Sequence, residues 1–430
     1  MGVFTKLLSR NVGSRRGSCN SYECKLLVVG AGTGGCSVAW RFARRINPKH
    51  IIVVEPSAYH YYQPLFTLIA AGIKPFEECR KPIKSVLPPG VTWLRDHVEL
   101  YEPQCNTAVT RNGSKLRYDC MVIAVGLTNN YDKIPGLKSC LDNKQSSVCT
   151  IYAPDYCYKT WCLLRNLRGG HALFTFPDRA AKCSGAAQKI MYLTDDYFRR
   201  NKLRDALSIT YNTAGKALFG VSKYSSALNR IANQRGITVN CNMRLTELVS
   251  NGAVFIDSSG EKITFPYNFL HVTPPMSPPA SLANCKCLVN EDSELDVDKF
   301  TLQHKSYPNV YGLGDCTSTP NGKTAAAVAK QSCVLERNLT ETMLGRDPTC
   351  KYDGYSACPI LTSYKRGILA EFLYDKKIHE TFPFDQSKEH RLLFYLNKNF
   401  LPYLYWNRLI TGKWDNPSII RKLINPFNKN

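Results

Sequence analysis

The sequence predicts an α/β protein built from two Rossmann-like units, the first of them discontinuous, followed by a C-terminal helical module. Three observations carry this reading. A glycine-rich run, Gly30-Ala31-Gly32-Thr33-Gly34-Gly35, stands between an apolar strand pattern and a helix pattern. The same strand and helix pattern begins again near Thr150. Near residue 381 the composition turns aromatic and basic.

Taken in order, residues 25–29 read as a short buried strand, 34–45 as a helix and 51–54 as a second apolar strand, which makes a βαβ unit. Residues 116–125 contain another strand, ending at Gly126. The second unit is expected to hold a helix at 159–167, a strand at 171–176 and a helix at 185–199. A late strand and turn at 310–315 precede a helix over 323–339, with small residues early and apolar ones later. The expected division is a leader at 1–22, a first domain at 23–150 and 301–345, a second at 151–300, and a C-terminal module at 346–430.

With 430 residues, 44% of them hydrophobic, the chain can bury the cores of two or three domains. A net charge of +22 is compatible with nucleic acid, an anionic membrane surface or acidic small molecules. Residues 1–22 hold Lys6, Arg10, Arg15 and Arg16 and no acidic residue, the composition of a mitochondrial transit peptide. No apolar run reaches the ~18 residues a helix needs to cross a bilayer, so attachment to a membrane is expected from one side only. The 18 cysteines are scattered and include no CxxC pair, so no zinc or other metal site is expected. Cys285-x-Cys287, in a loop-like stretch, reads as coincidence, and most of the remaining cysteines read as buried small hydrophobes.

Residues 381–430 contain ten aromatic residues, eight Lys or Arg and three acidic residues. Leu392, Leu393, Phe394, Leu396, Phe400, Leu404, Tyr405, Trp406, Leu409 and Ile410 are interleaved there with Arg391, Lys398, Arg408 and Lys413. This suits short amphipathic helices lying in a membrane interface, with the basic residues favouring anionic lipid. A cap docked on the core is the alternative reading. Nucleic acid is not an expected partner, since the aromatics cluster with aliphatics and no nucleic-acid module is recognisable.

Gly30, Gly32 and Gly35 fit GxGxxG in the strand-to-helix setting the motif requires. The first permits a tight turn, the second lets backbone approach a pyrophosphate, and the third lets helix pack on strand, with the helix N-terminus facing the negative charge. Glu55 ends the next strand, where a carboxylate can accept hydrogen bonds from ribose hydroxyls. A dinucleotide ligand is expected.

Far downstream, Tyr311-Gly312-Leu313-Gly314-Asp315 resembles the return strand of the flavoprotein disulfide reductase superfamily. The resemblance implies FAD, with Asp315 on the ribityl chain. Residues 118–126, ending at Gly126, resemble the strand that closes that superfamily's FAD domain. Most of its members carry a second GxGxxG for NAD(P)H, but residues 177–187 hold one glycine and a proline, so a nicotinamide donor is not expected. The closely spaced redox cysteines of the disulfide reductases would fall near 59–72, and none stands there.

Phe174-Thr175-Phe176-Pro177, Lys182-Cys183-Ser184-Gly185, Tyr352-Asp353-Gly354-Tyr355-Ser356-Ala357-Cys358-Pro359 and Thr381-Phe382-Pro383-Phe384-Asp385-Gln386-Ser387-Lys388 closely resemble the mitochondrial sulfide:quinone oxidoreductase family. So do residues 271–279, Gly314-Asp315-Cys316-Thr317 and Lys323-Thr324-Ala325-Ala326-Ala327-Val328-Ala329, and the resemblance runs from about 25 to 422. It implies a redox disulfide between Cys183 and Cys358, opened by hydrogen sulfide. Cys358 would carry the persulfide, and Cys183 would face FAD as a thiolate. The sulfur would pass to glutathione or sulfite and the electrons to ubiquinone, in a protein held monotopically on the mitochondrial inner membrane. Lys323 and Thr324 precede an alanine-rich helix whose positive end would face the flavin. Cys183 is expected just before a helix N-terminus that lowers its thiol pKa, with Lys182 adding charge, and Cys358 in a loop because Pro359 follows it. Cys36 and Cys333 match no catalytic position of the family. The competing readings are a type II NADH:quinone oxidoreductase, for which the second glycine cradle is missing, and a flavin-binding scaffold without turnover, in which the two cysteines are incidental.

Overall fold

The computed structural model describes residues 20–178 and 181–424. Most of the expected 1–22 leader falls outside them, and Ser21 already begins the first strand.

Strand Ser21–Val29 lies at the centre of a seven-stranded sheet, with Ile51–Val54 and then Thr92–Leu94 on one side and Lys115–Ile123 on the other. Its apolar run is buried on both faces, as parallel strands require. Leu26 and Val28 face a core that includes Val38 and Phe42 of helix Thr33–Phe42 and Leu335 and Leu339 of helix Ala325–Met343. Leu27 and Val29 face the opposite way. The strand begins four residues earlier than its apolar run because Ser21 to Cys24 pair with Lys115 to Tyr118.

Strand Lys115–Ile123 is long enough to have two partners on its far edge. Its first part pairs antiparallel with Thr107–Thr110, and its last part pairs parallel with Val310–Gly312, in register Val310 to Met121 and Gly312 to Ile123. This second pairing returns the chain to the first sheet after the whole second unit. Residues 282–297, expected with the second unit, also pack here. Leu282, Leu288, Leu295 and Val297 are buried against Leu27, Val29 and Ile123, closing the second face of the sheet. An apolar face needs cover, and a boundary at 301 would leave it bare.

The second unit is a parallel five-stranded sheet in the order Val148–Cys149, Phe269–His271, Gly170–Phe176, Leu207–Thr213, Ile237–Asn240. Helix Pro154–Asn166 starts several residues before its expected position, with Pro154 at the first turn where a missing N–H costs nothing. Helix Ala186–Arg200 follows the loop that carries Cys183.

The C-terminal part opens with an antiparallel hairpin, Ser356–Leu361 with Gly367–Phe372. Cys358 and Pro359 lie inside its first strand, not in a loop. The strand has a single partner, so the missing proline N–H faces an unpaired edge. Beyond it a helical run covers Arg391 to Leu409, with two π-helical stretches, Leu396–Phe400 and Tyr405–Leu409. Leu393, Phe394, Leu404, Tyr405, Leu409 and Ile410 turn toward the core, whereas Leu392, Tyr395, Phe400 and Tyr403 are exposed. Among the described residues no helix is long and apolar enough to cross a membrane.

Candidate active site

Gly30 ends the first strand with φ +95°, and a Cβ there would stand 2.6 Å from the Ala124 carbonyl oxygen. At Gly35 a Cβ would fall 1.8 Å from the Gly30 oxygen, so only glycine lets helix Thr33–Phe42 approach the strand. Gly32 differs, because a Cβ there would meet nothing within 4 Å. It borders a cavity of about 640 Å³, ample for an extended cofactor. Glu55 braces the turn: one carboxylate oxygen accepts from the Ala31 N–H and the other from the Ser57 N–H, both at 2.8 Å. Lone pairs remain on both oxygens for a ribose.

Gly30, Gly32, Glu55, Gly126, Asp315, Lys323, Thr324, Cys183 and Cys358 all line this one cavity, and Gly35 is buried just behind the glycine turn. Asp315 enters from the turn after Val310–Gly312. Burial pushes its carboxyl upward, opposed by Lys323 and Lys182, and no donor among the described residues is hydrogen-bonded to it. Thr324 caps helix Ala325–Met343 by accepting from the Ala327 N–H at 3.2 Å. The Lys323 ammonium donates to the Thr317 carbonyl at 2.5 Å and lies 3.5 Å from Glu294, so it is held within the wall. An open glycine, a carboxylate beside it, an unbonded half-buried carboxylate and a helix N-terminus are together the fittings of a flavin dinucleotide.

The two cysteines stand in the same cavity. Cys183 takes φ +52°, in the left-handed region, and its N–H donates to the Lys323 carbonyl at 3.0 Å. This bond ties the cysteine loop to the start of the alanine helix. Its own carbonyl accepts from the Ala186 N–H and from Tyr152 Oη. Both thiols are free, and they share a hydrogen bond. That bond from Cys358 lowers the Cys183 pKa, helped by Lys189 and the Gly185 N–H and opposed by burial and Asp315. Cys358 is held well above the usual thiol range by the same bond and by burial. A Cβ on Gly185 would lie 2.7 Å from Cys358 Sγ, so this glycine makes room for the pair.

The positive charge near Cys183 therefore comes from Lys189, on the first turn of helix Ala186–Arg200, and not from Lys182, whose own ammonium is disfavoured by burial. The residue four positions beyond Gly185 lies over the helix start, and that spacing is the signal in the sequence that points to it. Two further residues of the cavity wall, His60 and Tyr62, carry no sequence signal of their own. Tyr405 Oη lies 2.6 Å from His60 Nε2 and 2.9 Å from Thr33 Oγ1, and its ring centroid is 4.1 Å from that of Tyr62. Burial pushes His60 down to about 4, so it is neutral near pH 7. Its Nδ1–H donates to the Ala31 carbonyl at 2.8 Å, which leaves Nε2 to accept from Tyr405. Tyr405 then accepts from Thr33, joining the C-terminal helical run to the glycine turn.

The surplus cysteines stay out of this chemistry. Cys36 is fully buried and donates to the Ala31 carbonyl, and burial raises both Cys316 and Cys333 to about 11. Among the described residues no group of three or more His, Cys, Asp or Glu could hold a metal.

Fold and cavity define a flavoprotein of the two-dinucleotide-domain class, and residues 24–153 match the Pyridine nucleotide-disulphide oxidoreductase family. The chain is 43% identical over 408 residues to a mitochondrial sulfide:quinone oxidoreductase of Mus musculus, with 94% of this chain and 90% of that protein covered. It is 41% identical to one of Dictyostelium discoideum, over 91% of this chain and 86% of that protein. The solved sulfide:quinone oxidoreductase of Aquifex aeolicus shares the fold at 18% identity, with a TM-score of 0.78, covering 95% of this chain and 96% of that one. The chain belongs to the sulfide:quinone oxidoreductase family, and its cofactor is FAD.

The three glycines make different predictions. Gly32→Val should fold, since its side chain projects into open space, yet purify without FAD because it fills the pyrophosphate path. Flavin absorbance and the far-UV circular dichroism spectrum check this. An FAD-replete, folded variant would contradict the placement.

Proposed function

We propose that this chain oxidises hydrogen sulfide at the Cys183 and Cys358 sulfurs, passes the sulfur to glutathione or sulfite, and delivers two electrons to ubiquinone. The observation that carries the proposal is the meeting of the two sulfurs in a cavity whose other walls are the glycine turn and the C-terminal helices.

The working oxidised form is a Cys183–Cys358 disulfide. Hydrosulfide attacks the Cys358 sulfur, leaving a persulfide there and releasing Cys183 as a thiolate. Cys183 suits the leaving role, because Lys189 and the Gly185 N–H favour its anion. A small thiol or sulfite then takes the outer sulfur from Cys358, which leaves two thiols as in this structure. Re-forming the bridge releases two electrons and two protons. FAD bound in this cavity would supply the two-electron acceptor chemistry between the dithiol and the quinone. Gly30, Gly32 and Gly35 with the first helix N-terminus would hold its pyrophosphate, Glu55 a ribose and Asp315 the ribityl chain. Gly126 would border it, and Lys323 and Thr324 would set the second helix N-terminus toward its ring. A type II NADH:quinone reductase reading lacks support, because the second unit brings Cys183 to the place where a nicotinamide cradle would need glycines.

The apolar far side of the cavity, formed by Leu393, Leu396, Leu401 and Leu404, suits a quinone ring and tail. Phe400 both lines the cavity and is 41% exposed, which makes it the doorway. In the same C-terminal helices Tyr403, Ile419 and Leu423 are 62%, 72% and 76% exposed. Exposed large apolar side chains in a stretch that also carries Arg408 and Lys413 favour docking on an anionic bilayer from one side, which fits the mitochondrial inner membrane.

Cys183→Ser and Cys358→Ser should each retain FAD and lose sulfide-dependent quinone reduction by on the order of a hundredfold or more. In reduced protein, Cys358→Ala also removes the bond that lowers Cys183, so the pH midpoint for Cys183 alkylation should move upward. Near wild-type turnover in either variant would overturn the mechanism. For the membrane surface, Tyr403→Asp with Ile419→Asp should weaken sedimentation with anionic vesicles and slow reduction of long-tailed quinone, while sulfide still bleaches the flavin. Unchanged vesicle binding would contradict the docking surface.

A further inference from the structure

Outside the cavity, one pair of side chains is placed for chemistry that sulfide oxidation does not use. Cys285 and Cys287 follow the short helix Ala280–Ala283, and their Sγ atoms lie 3.4 Å apart. In extended chain two residues flanking one other share a face but stand well apart, whereas here a turn folds them together. The Cys285 N–H donates to the Leu282 carbonyl, and the Leu288 N–H donates back to the Cys285 carbonyl, both at 2.9 Å. Leu282 and Leu288 are fully buried under the first sheet, so both ends of the turn are anchored. Cys287 is exposed and Cys285 is half-buried against the Tyr101 carbonyl. Composition alone reads this C-x-C as coincidence; the paired sulfurs on an anchored, solvent-facing turn are a site.

We propose that Cys285 and Cys287 form a second dithiol–disulfide couple, one that exchanges with low-molecular-weight disulfides from solvent. The exposed Cys287, as thiolate, attacks one sulfur of a disulfide RSSR, forming a mixed disulfide and releasing RS⁻. Cys285 then gives its proton to solvent and displaces the second RS⁻, closing the Cys285–Cys287 bond. The protein dithiol loses two electrons, and RSSR becomes two thiols. Burial raises the Cys285 thiol to about 12, which suits the resolving partner more than the attacking one. Closure shortens the sulfur separation to about 2.05 Å, within the reach of side-chain rotation.

Peptide mapping of the full-length protein, equilibrated in glutathione and glutathione disulfide buffers and then alkylated, tests this. Cys105, an exposed thiol without a neighbour two residues away, is the internal reference. The peptide holding Cys285 and Cys287 should lose two hydrogen atoms and resist alkylation while Cys105 carries a glutathione adduct. Cys285→Ser should stop with glutathione on Cys287, and Cys287→Ser should show neither product at Cys285. Both variants should keep sulfide-dependent flavin bleaching. A wild type that stops at the mixed disulfide on Cys287, a bridge joining Cys287 to another cysteine, or full alkylation where Cys105 is modified would each overturn the proposal.

Discussion

The hydrogen-bonded contact of Cys183 with Cys358 constrains the rest of the site. Cys183 takes a left-handed backbone at this contact, a strain of about 1–3 kcal/mol that surrounding bonds must offset. The Lys323 carbonyl supplies one such bond, and the turn into helix Ala186–Arg200 supplies another. The same contact requires a glycine at 185, since any side chain would displace Cys358 Sγ. Hairpin Ser356–Leu361 with Gly367–Phe372 carries Cys358 in its first strand. Three stretches remote in sequence therefore meet at one point. That meeting makes the two thiols unequal, Cys183 favoured as anion and Cys358 as thiol.

A second tie joins the site to its surface. The chain of bonds from Thr33 through Tyr405 to His60 and the Ala31 carbonyl links the glycine turn to the helical run that walls the cavity. The π-helical stretches of that run change its facing along its length. The core side presents Leu393, Leu404 and Leu409, and the outer side presents Leu392, Tyr395 and Tyr403. One element thus caps the cavity with one face and exposes apolar side chains on the other, and the docked-cap reading open at the level of sequence describes its inner face.

Features set by local chemistry were legible in the sequence. The strand, glycine turn and helix around Gly30, Gly32 and Gly35, with Glu55 beyond, follow from spacing alone, and strand Ile51–Val54 from a bounded apolar run. Features set by distant contacts were not. Strand Ser21–Val29 starts early because another strand pairs with its polar start. Residues 282–297 look like loop yet close the first sheet, because its second face has no other cover. Pro359 suggested a loop, but an edge strand tolerates it. Lys189 favours the Cys183 anion, whereas burial disfavours the Lys182 ammonium, a difference the sequence does not announce. His60 and Tyr405 belong to no motif; only the fold brings them together.

The most direct measurement is an anaerobic titration of the purified FAD-bound protein with sulfide, followed by flavin absorbance. Starting from the oxidised disulfide form, equimolar sulfide together with sulfite as the sulfur acceptor should bleach the flavin, added quinone should restore its absorbance, and NADH should leave it unchanged. Bleaching by NADH with no response to sulfide would contradict the account.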